Sequence, residues 1–367
     1  MIPDSEAALA EMIAGAEGPL CIQGGGSRGL EAEGTLLSCR GLSGVTLYEP
    51  GALTLVVQAG TPVAEVEGLL AAENQRLAFE PMDHRGLTGS AGEPTIGGVF
   101  AANVSGPRRI QAGAARDFLL GVRFVDGSGQ TVRNGGRVMK NVTGYDLVKL
   151  ICGAHGTLGV LSEVALKVLP EAEAAATVRL PNLGLEAAVQ AMSAALGAPY
   201  DVSGAAYDPE SFHVHLRLEG FAASVTERSR KLAQLLAPFG AAEIVEGEDS
   251  LSLWRGIRDV SAFRGRQGDV WRISVKPGDA VQLAPRLEAE ALQFDWGGGL
   301  IWALMPEGTD LRPRLTVPGH ATLVRAARET RTRLGVFQPQ PGPLAALSEG
   351  LRRQFDPRGI LNPGLMG

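Results

Sequence analysis

An α+β fold in two units is what the sequence predicts, and three observations carry it. Between Val45 and Glu80 the apolar runs follow in the order strand, strand, helix, strand. Asp126-Gly127 then separates two further strand-like runs as a hairpin turn. Beyond Pro170 the composition shifts to alanine-rich segments alternating with strand-like patches. With 367 residues, 45% hydrophobic and 20% charged, the chain exceeds what one compact core ordinarily holds. The expected division is a first unit over 1–170, in halves of about 1–60 and 61–170, a second α+β unit over 171–320, and a closing segment over 321–367 that packs back on the first.

Taken in order, Asp4 or Ser5 caps a helix over 7–16, with Gly18 past its end and Pro19 stopping it before the strand Leu20-Cys21-Ile22. The next turn, Gln23-Gly24-Gly25-Gly26-Ser27-Arg28-Gly29, satisfies G-x-G-x-x-G, with Glu49 downstream. A dinucleotide-binding crossover needs a helix between two parallel strands, yet the strand-like run 35–39 arrives within a few residues. Two readings remain: a concave array of N–H donors joined by the Ser27 hydroxyl, suited to phosphate, or a plain hairpin-like loop.

Strands over 45–48 and 53–57 flank Glu49-Pro50-Gly51-Ala52, and a helix over 63–74 starts behind Thr61-Pro62. After 76–80 the run P-M-D-H-R-G-L-T-G-S-A-G-E-P lacks periodicity, and loops of that length usually carry function. It leads into residues 94–106, P-T-I-G-G-V-F-A-A-N-V-S-G. Small side chains there expose backbone N–H groups where the chain enters a short helix, which suits an anion or a polar ring edge; a packed turn and short helix is the alternative.

A hairpin over 118–125 and 130–133 follows, then a loop, a helix over 145–151, a glycine turn and a strand ending at Pro170. Helices over 185–195 and 225–236 and a strand over 212–217 belong to the second unit. The closing segment is expected to hold a helix over 322–334, a proline-rich crossing over 338–343 and a last helix reaching Phe355.

A formal net charge of -6, spread without acidic or basic blocks, leaves no electrostatic footprint for nucleic acid or an anionic membrane. Cys21, Cys39 and Cys152 are odd in number and widely spaced, so they supply neither a disulfide framework nor iron–sulfur ligands. Acids and no positive charge precede Arg28, and no run reaches membrane-spanning length, which predicts a cytoplasmic protein.

Read together and in order, several motifs resemble one family. They are Gly24-Gly25-Gly26-Ser27 after a first strand, P-T-I-G-G from Pro94, K-N-V-T-G-Y-D-L from Lys140, G-T-L-G-V from Gly156 and the terminal F-D-P-R-G-I-L-N-P-G. The resemblance is to the FAD-binding fold of the vanillyl-alcohol oxidase and p-cresol methylhydroxylase (PCMH) superfamily, and within it to the FAD-binding E subunits of glycolate oxidases, over nearly the whole chain.

That resemblance implies two α+β subdomains gripping FAD, a cap domain over the isoalloxazine, and a pyrophosphate held between Gly24, Gly25, Gly26, Ser27 and Arg28 on one side and Pro94, Thr95, Ile96, Gly97 and Gly98 on the other. Backbone donors suit this task, and the first lysine of the chain is Lys140. By the same match Asn103, Gly106, Arg116 and Asp117 line the flavin or ribityl side, and Gly156, Leu158, Gly159 and Val160 meet the cofactor through backbone atoms. Many members tether FAD through a histidine near the first glycine loop; Gly, Ser and Arg stand there in this sequence, so a dissociable FAD is expected. His84 remains an outside candidate for a tether or proton shuttle, with a solvated loop histidine as the plainer reading.

Oxidising a 2-hydroxy acid needs a hydride acceptor, a proton acceptor and cations for the carboxylate. Arg258 in L-W-R-G-I-R-D and Arg272 in W-R-I-S-V-K-P are the candidates for the carboxylate, Tyr145 and His155 for moving a proton, and no residue is assigned as catalytic. Catalytic relatives carry H-x-x-x-D-G-N-x-H, which is missing here, and His213 with His215 read as a wet sheet face rather than a metal site. The implied function is a FAD subunit acting on glycolate or D-lactate beside a related FAD subunit and an iron–sulfur subunit, with any membrane contact made through those partners. An accessory electron relay and a stand-alone FAD oxidase of alcohols or sugars are the alternatives.

Overall fold

The computed structural model describes residues 1–30, 32–137 and 144–366, so Lys140 to Thr143 of the K-N-V-T-G-Y-D-L motif lie outside the described residues. Ser5 caps the helix Glu6–Ala14, its Oγ accepting from the Ala8 amide at 3.2 Å, and the helix buries Leu9 and Ile13. The strand Leu20–Gln23 pairs in parallel with Thr35–Ser38, and Leu361 adds a second parallel bridge at Leu20. A parallel pair is not a hairpin, so the segment between these strands, which holds the glycine loop, crosses back to the starting end and the second strand runs in the same direction as the first.

The central sheet of the first unit is antiparallel in the order Val45–Glu49, Thr54–Gln58, Val160–Lys167, Leu119–Val125, Thr131–Gly135. Leu55 and Val57 are fully buried opposite Leu166 and Val164. This burial draws the two early strands into the sheet with 119–167, whereas the sequence-based halves part near residue 60. The helix Ile96–Ala101 leaves this layer with Ile96, Val99 and Phe100 in the core.

The second sheet has eight strands, ordered Glu243–Glu246, Ala174–Leu180, His213–Gly220, Val202–Asp208, Ala291–Asp295, Leu300–Met305, Asp269–Val275, Gly319–Arg325. Its two four-stranded halves meet where Tyr207 pairs with Phe294. Helices Leu185–Leu196, Ala222–Leu235 and Ala280–Leu287 pack on it around one apolar core.

The expected helix over 322–334 is corrected in its first half. Gly319–Arg325 is a strand that pairs with Asp269–Val275, and only Arg328–Leu334 is helical. Alternation decides it: Ala321 and Leu323 are fully buried while Thr322 and Val324 are not, a period of two that a helix cannot satisfy. The helix Gly342–Phe355 follows, and residues 356–362 return to the first unit beside Leu20.

Candidate functional site

Two glycine loops come together to build one cavity. Residues 24–26 lie against residues 92–95, and the contact is backbone to backbone: a Cβ on Gly25 would overlap the carbonyl of Glu93, and one on Gly92 would overlap the carbonyl of Gly25. Gly97 is likewise pressed on Ala59, 2.6 Å from where its Cβ would stand. Gly98 differs, since its Cβ would meet Thr95 Oγ1 at 3.2 Å and is otherwise free on the cavity side. Thr95 holds the loop by accepting the Gly98 amide at 3.3 Å.

The cavity is lined by Gly24, Gly25, Gly26, Ser27 and Arg28 from the first loop and by Pro94, Thr95, Gly97 and Gly98 from the second. Gly156, Gly159 and Val160 close a third side. Residues the sequence reading passed over complete it: Ala59 and Met82 from earlier elements, and Asn362 and Leu365 from the returning tail. Asn362 accepts the Ile22 amide at 2.6 Å and donates to the His155 carbonyl at 2.8 Å, so the tail is stitched to the cavity wall. The I-L-N-P-G run was the available signal for it.

Several expected site residues lie elsewhere. Ile96 and Leu158 are buried in the core of the first unit. Asn103, Gly106, Arg116 and Asp117 form a bracket beside the cavity rather than its lining: Asn103 Oδ1 accepts the Arg116 amide at 3.0 Å, Arg116 donates to the Cys152 carbonyl, and Asp117 accepts the Ala114 amide at 2.8 Å. Gly106 accepts from the Trp296 indole at 3.1 Å, which joins the bracket to the second sheet. Tyr145 is 88% exposed and faces solvent.

The charge inside the cavity is positive. Arg28 and His84 line it, and so does His155, whose Nδ1 is 3.1 Å from Arg28 Nη2. Burial pushes Arg28 down to about 10, and burial and the Arg28 charge push His84 and His155 down to about 3. His84 is therefore a neutral wall residue and not a solvated loop histidine. Cys39 also reaches the lining, its thiol pushed up to about 12 by burial.

The two arginines expected to take a carboxylate are held apart in character. Arg258 is neutralised by Asp259 through two hydrogen bonds of 2.8 Å and lines a second cleft with Glu67, Arg76 and Arg108. Arg272 stacks on Trp296 at 5.0 Å, and Arg109, which the sequence reading missed, stacks on the same ring at 4.6 Å. Among the described residues neither has an acid within ion-pair distance, and Arg272, buried beside another cation, is lowered to about 10. His320 feels both guanidinium groups and is lowered, burial leading. His215 is buried, not wet, with its Nδ1 unpartnered. No group of three potential metal ligands occurs among the described residues.

Glycine loops meeting backbone to backbone around a cavity with an uncompensated guanidinium fit an anionic dinucleotide, and the chain's class follows: it is a FAD-binding oxidoreductase of the PCMH type. Residues 1–135 match the family model described as FAD binding domain. The fold is similar to that of an alkyldihydroxyacetonephosphate synthase structure, with a TM-score of 0.68 and 16% identity, covering 99% of this chain and 76% of that one. The chain is 35% identical to the glycolate oxidase subunit GlcE of Escherichia coli (strain K12) over 95% of its length and 92% of that protein's, and it belongs to the GlcE family. It is also 36% identical to the glycolate oxidase subunit GlcD of Bacillus subtilis (strain 168), over 38% of this chain and 28% of that one.

Proposed function

We propose that this chain is the FAD-binding subunit of a complex that oxidises glycolate or a similar 2-hydroxy acid, such as D-lactate, and passes the electrons to an iron–sulfur partner beside a related FAD subunit. The near full-length similarity to GlcE carries the reading. When bound, FAD supplies the hydride acceptor.

The chain's own residues have distinct parts. Amides of the first glycine loop and Arg28 hold the diphosphate, while the second loop, whose Ile96, Gly97 and Gly98 amides are taken by Thr61, Ala59 and Thr95, lets it approach by its lack of side chains. Arg272 and Arg109, lacking acids of their own, take the substrate carboxylate, while Arg258 is already satisfied by Asp259. His84 and His155 are poor bases at pKa values near 3, because a general base works best near the operating pH. FAD is bound without a covalent tether: the first glycine loop offers no histidine, and the Cys39 thiol stays protonated.

Anaerobic bleaching of the flavin by glycolate or D-lactate, in the isolated chain and in its complex, tests the proposal. Reduction in the complex is expected; an oxidised flavin under both conditions overturns it. FAD released into the supernatant by acid precipitation reports the non-covalent binding.

A second reading has its own support. The sequence lacks H-x-x-x-D-G-N-x-H, so the chain relays electrons while the related subunit oxidises the substrate. Reduction only in the complex favours this relay, and reduction of the isolated chain favours oxidation by the chain itself. No helix among the described residues is long and apolar enough to cross a membrane, and the proposed location is cytoplasmic, with the inner membrane reached through partners.

A further inference from the structure

Arg28 is a charged group placed in an unusual setting. It follows directly on the Gly24–Ser27 loop, lines the cavity, and among the described residues has no carboxylate within ion-pair distance. Its guanidinium has one hydrogen-bond partner among them, His155 Nδ1 at 3.1 Å. A guanidinium has five N–H donors and no acceptor, and Arg28 stays charged at neutral pH, so the acceptor here is a neutral imidazole protonated on Nε2. The pairing leaves the positive charge whole and fixes only the direction of the fork.

His155 is itself held from three sides. Its amide donates to the Ala101 carbonyl at 2.8 Å, its carbonyl accepts from Asn362 at 2.8 Å, and its ring meets Phe337 edge-on with centroids 4.7 Å apart. Its φ of 53 lies in the left-handed region, which histidine and asparagine enter more readily than most residues. Arg331 also reaches from the closing segment to the Gly29 carbonyl.

We infer that His155 is a positioning residue for the cofactor, its Nδ1 aiming the Arg28 guanidinium at the diphosphate of FAD while the closing segment, through Phe337 and Asn362, holds the imidazole in place. The inference rests on FAD being the occupant of this cavity. The diphosphate carries the negative charge that Arg28 lacks in the protein, and the neighbouring glycine amides border the same space.

The test is FAD titration of the full-length apoprotein, followed by flavin fluorescence, for the wild type, Arg28→Met, His155→Phe, His155→Asn and the Arg28→Met/His155→Phe double variant. Loss of a charge-assisted hydrogen bond predicts affinity about tenfold or more weaker for Arg28→Met and for His155→Phe. His155→Asn keeps an acceptor near the place of Nδ1 and tolerates the backbone, so it should stay within about threefold of wild type. The double variant should be no weaker than Arg28→Met alone, because the imidazole acts through the guanidinium.

A merely structural histidine predicts the reverse order, with Asn worse than Phe because it loses the ring contact to Phe337. That order overturns the inference, as do additive losses in the double variant. A shifted visible flavin spectrum in Arg28→Met with unchanged affinity places the guanidinium at the ring instead and overturns the diphosphate assignment. Apoprotein melting temperatures separate binding from folding, and should His155→Phe not fold, His155→Leu, equally unable to accept, carries the same expectation. A wild type with no saturable FAD binding sinks the proposed function, whereas binding unaffected by His155→Phe sinks this inference alone.

Discussion

Arg217, on the second sheet, donates two hydrogen bonds of 2.9 Å to the Glu80 carboxylate, and both side chains are buried. Glu80 sits at a φ of 52 just ahead of the long loop, and Glu219 adds pairs to Arg108 and Arg76 at 2.8 and 2.9 Å. The first unit and the second sheet are thus joined by charge rather than by apolar contact alone. Arg217→Met leaves the buried Glu80 carboxylate with the Arg108 amide at 3.2 Å and the more distant Arg108 guanidinium at 3.7 Å, and should cost up to about 3–5 kcal/mol in denaturant unfolding. The Glu80→Met/Arg217→Met pair should cost clearly less than the sum of the single variants, and additive losses would count against a coupled pair.

The two cradle glycines separate packing from binding. Valine at Gly97 collides with Ala59 backbone and should lower the stability of the apoprotein by about 2 kcal/mol or more. Valine at Gly98 meets little protein and should leave the melting temperature near wild type while abolishing flavin retention. Full flavin occupancy in Gly98→Val, read from the absorbance ratio, would remove that glycine from the cradle.

Arg109 and Arg272 make a prediction in the assembled complex. Arg272→Met and Arg109→Met should each raise KM for glycolate by about tenfold or more with flavin content unchanged, as expected for loss of a charged hydrogen bond. Arg258→Met, whose charge Asp259 already neutralises, should leave KM within about threefold. Equal effects at all three positions would argue against the assignment.

Acid and base act on different groups. His84 and His155 are held near 3 and His215 near 4, below the ordinary histidine value of 6.5, so the unfolded chain binds more protons and stability falls as pH drops from 6.5 towards 4. Asp295 is raised by burial to about 7 from 3.8, and its contribution is lost in the other direction, as pH rises from 3.8 through 7. Asp295→Asn, which keeps an acceptor for the Trp296 amide, should raise the melting temperature relative to wild type at pH 8 and not at pH 4. The same difference at both pH values would mean that the carboxylate does not titrate as described.

The two glycine loops were partly legible because their composition is local: Gly24 to Ser27 and Thr95 to Gly98 mark turns of small residues, but which amides stay free depends on the fold, which engages those of Ile96, Gly97 and Gly98 with Thr61, Ala59 and Thr95. Arg109 was not, since nothing near it in sequence says that the Trp296 ring, in the turn before strand Leu300–Met305, will be shared by it and Arg272. Arg258 and Arg272 look alike as carboxylate candidates in the sequence, and only the fold shows that Asp259 turns onto Arg258. The helix expected from residue 322 overlaps the strand Gly319–Arg325 because the apolar residues there suit either period, and the partner strand Asp269–Val275 decides between them. Edge pairing and a shared ring are tertiary facts that short-range pattern cannot contain.

Asn362 joins Ile22 across 340 positions of chain, and its carboxamide spans the gap between Ile22 and the carbonyl of His155. During synthesis the two glycine loops leave the ribosome long before the residue that closes the wall behind them. A nascent fragment that ends before residue 362 therefore lacks the side chain that closes this wall.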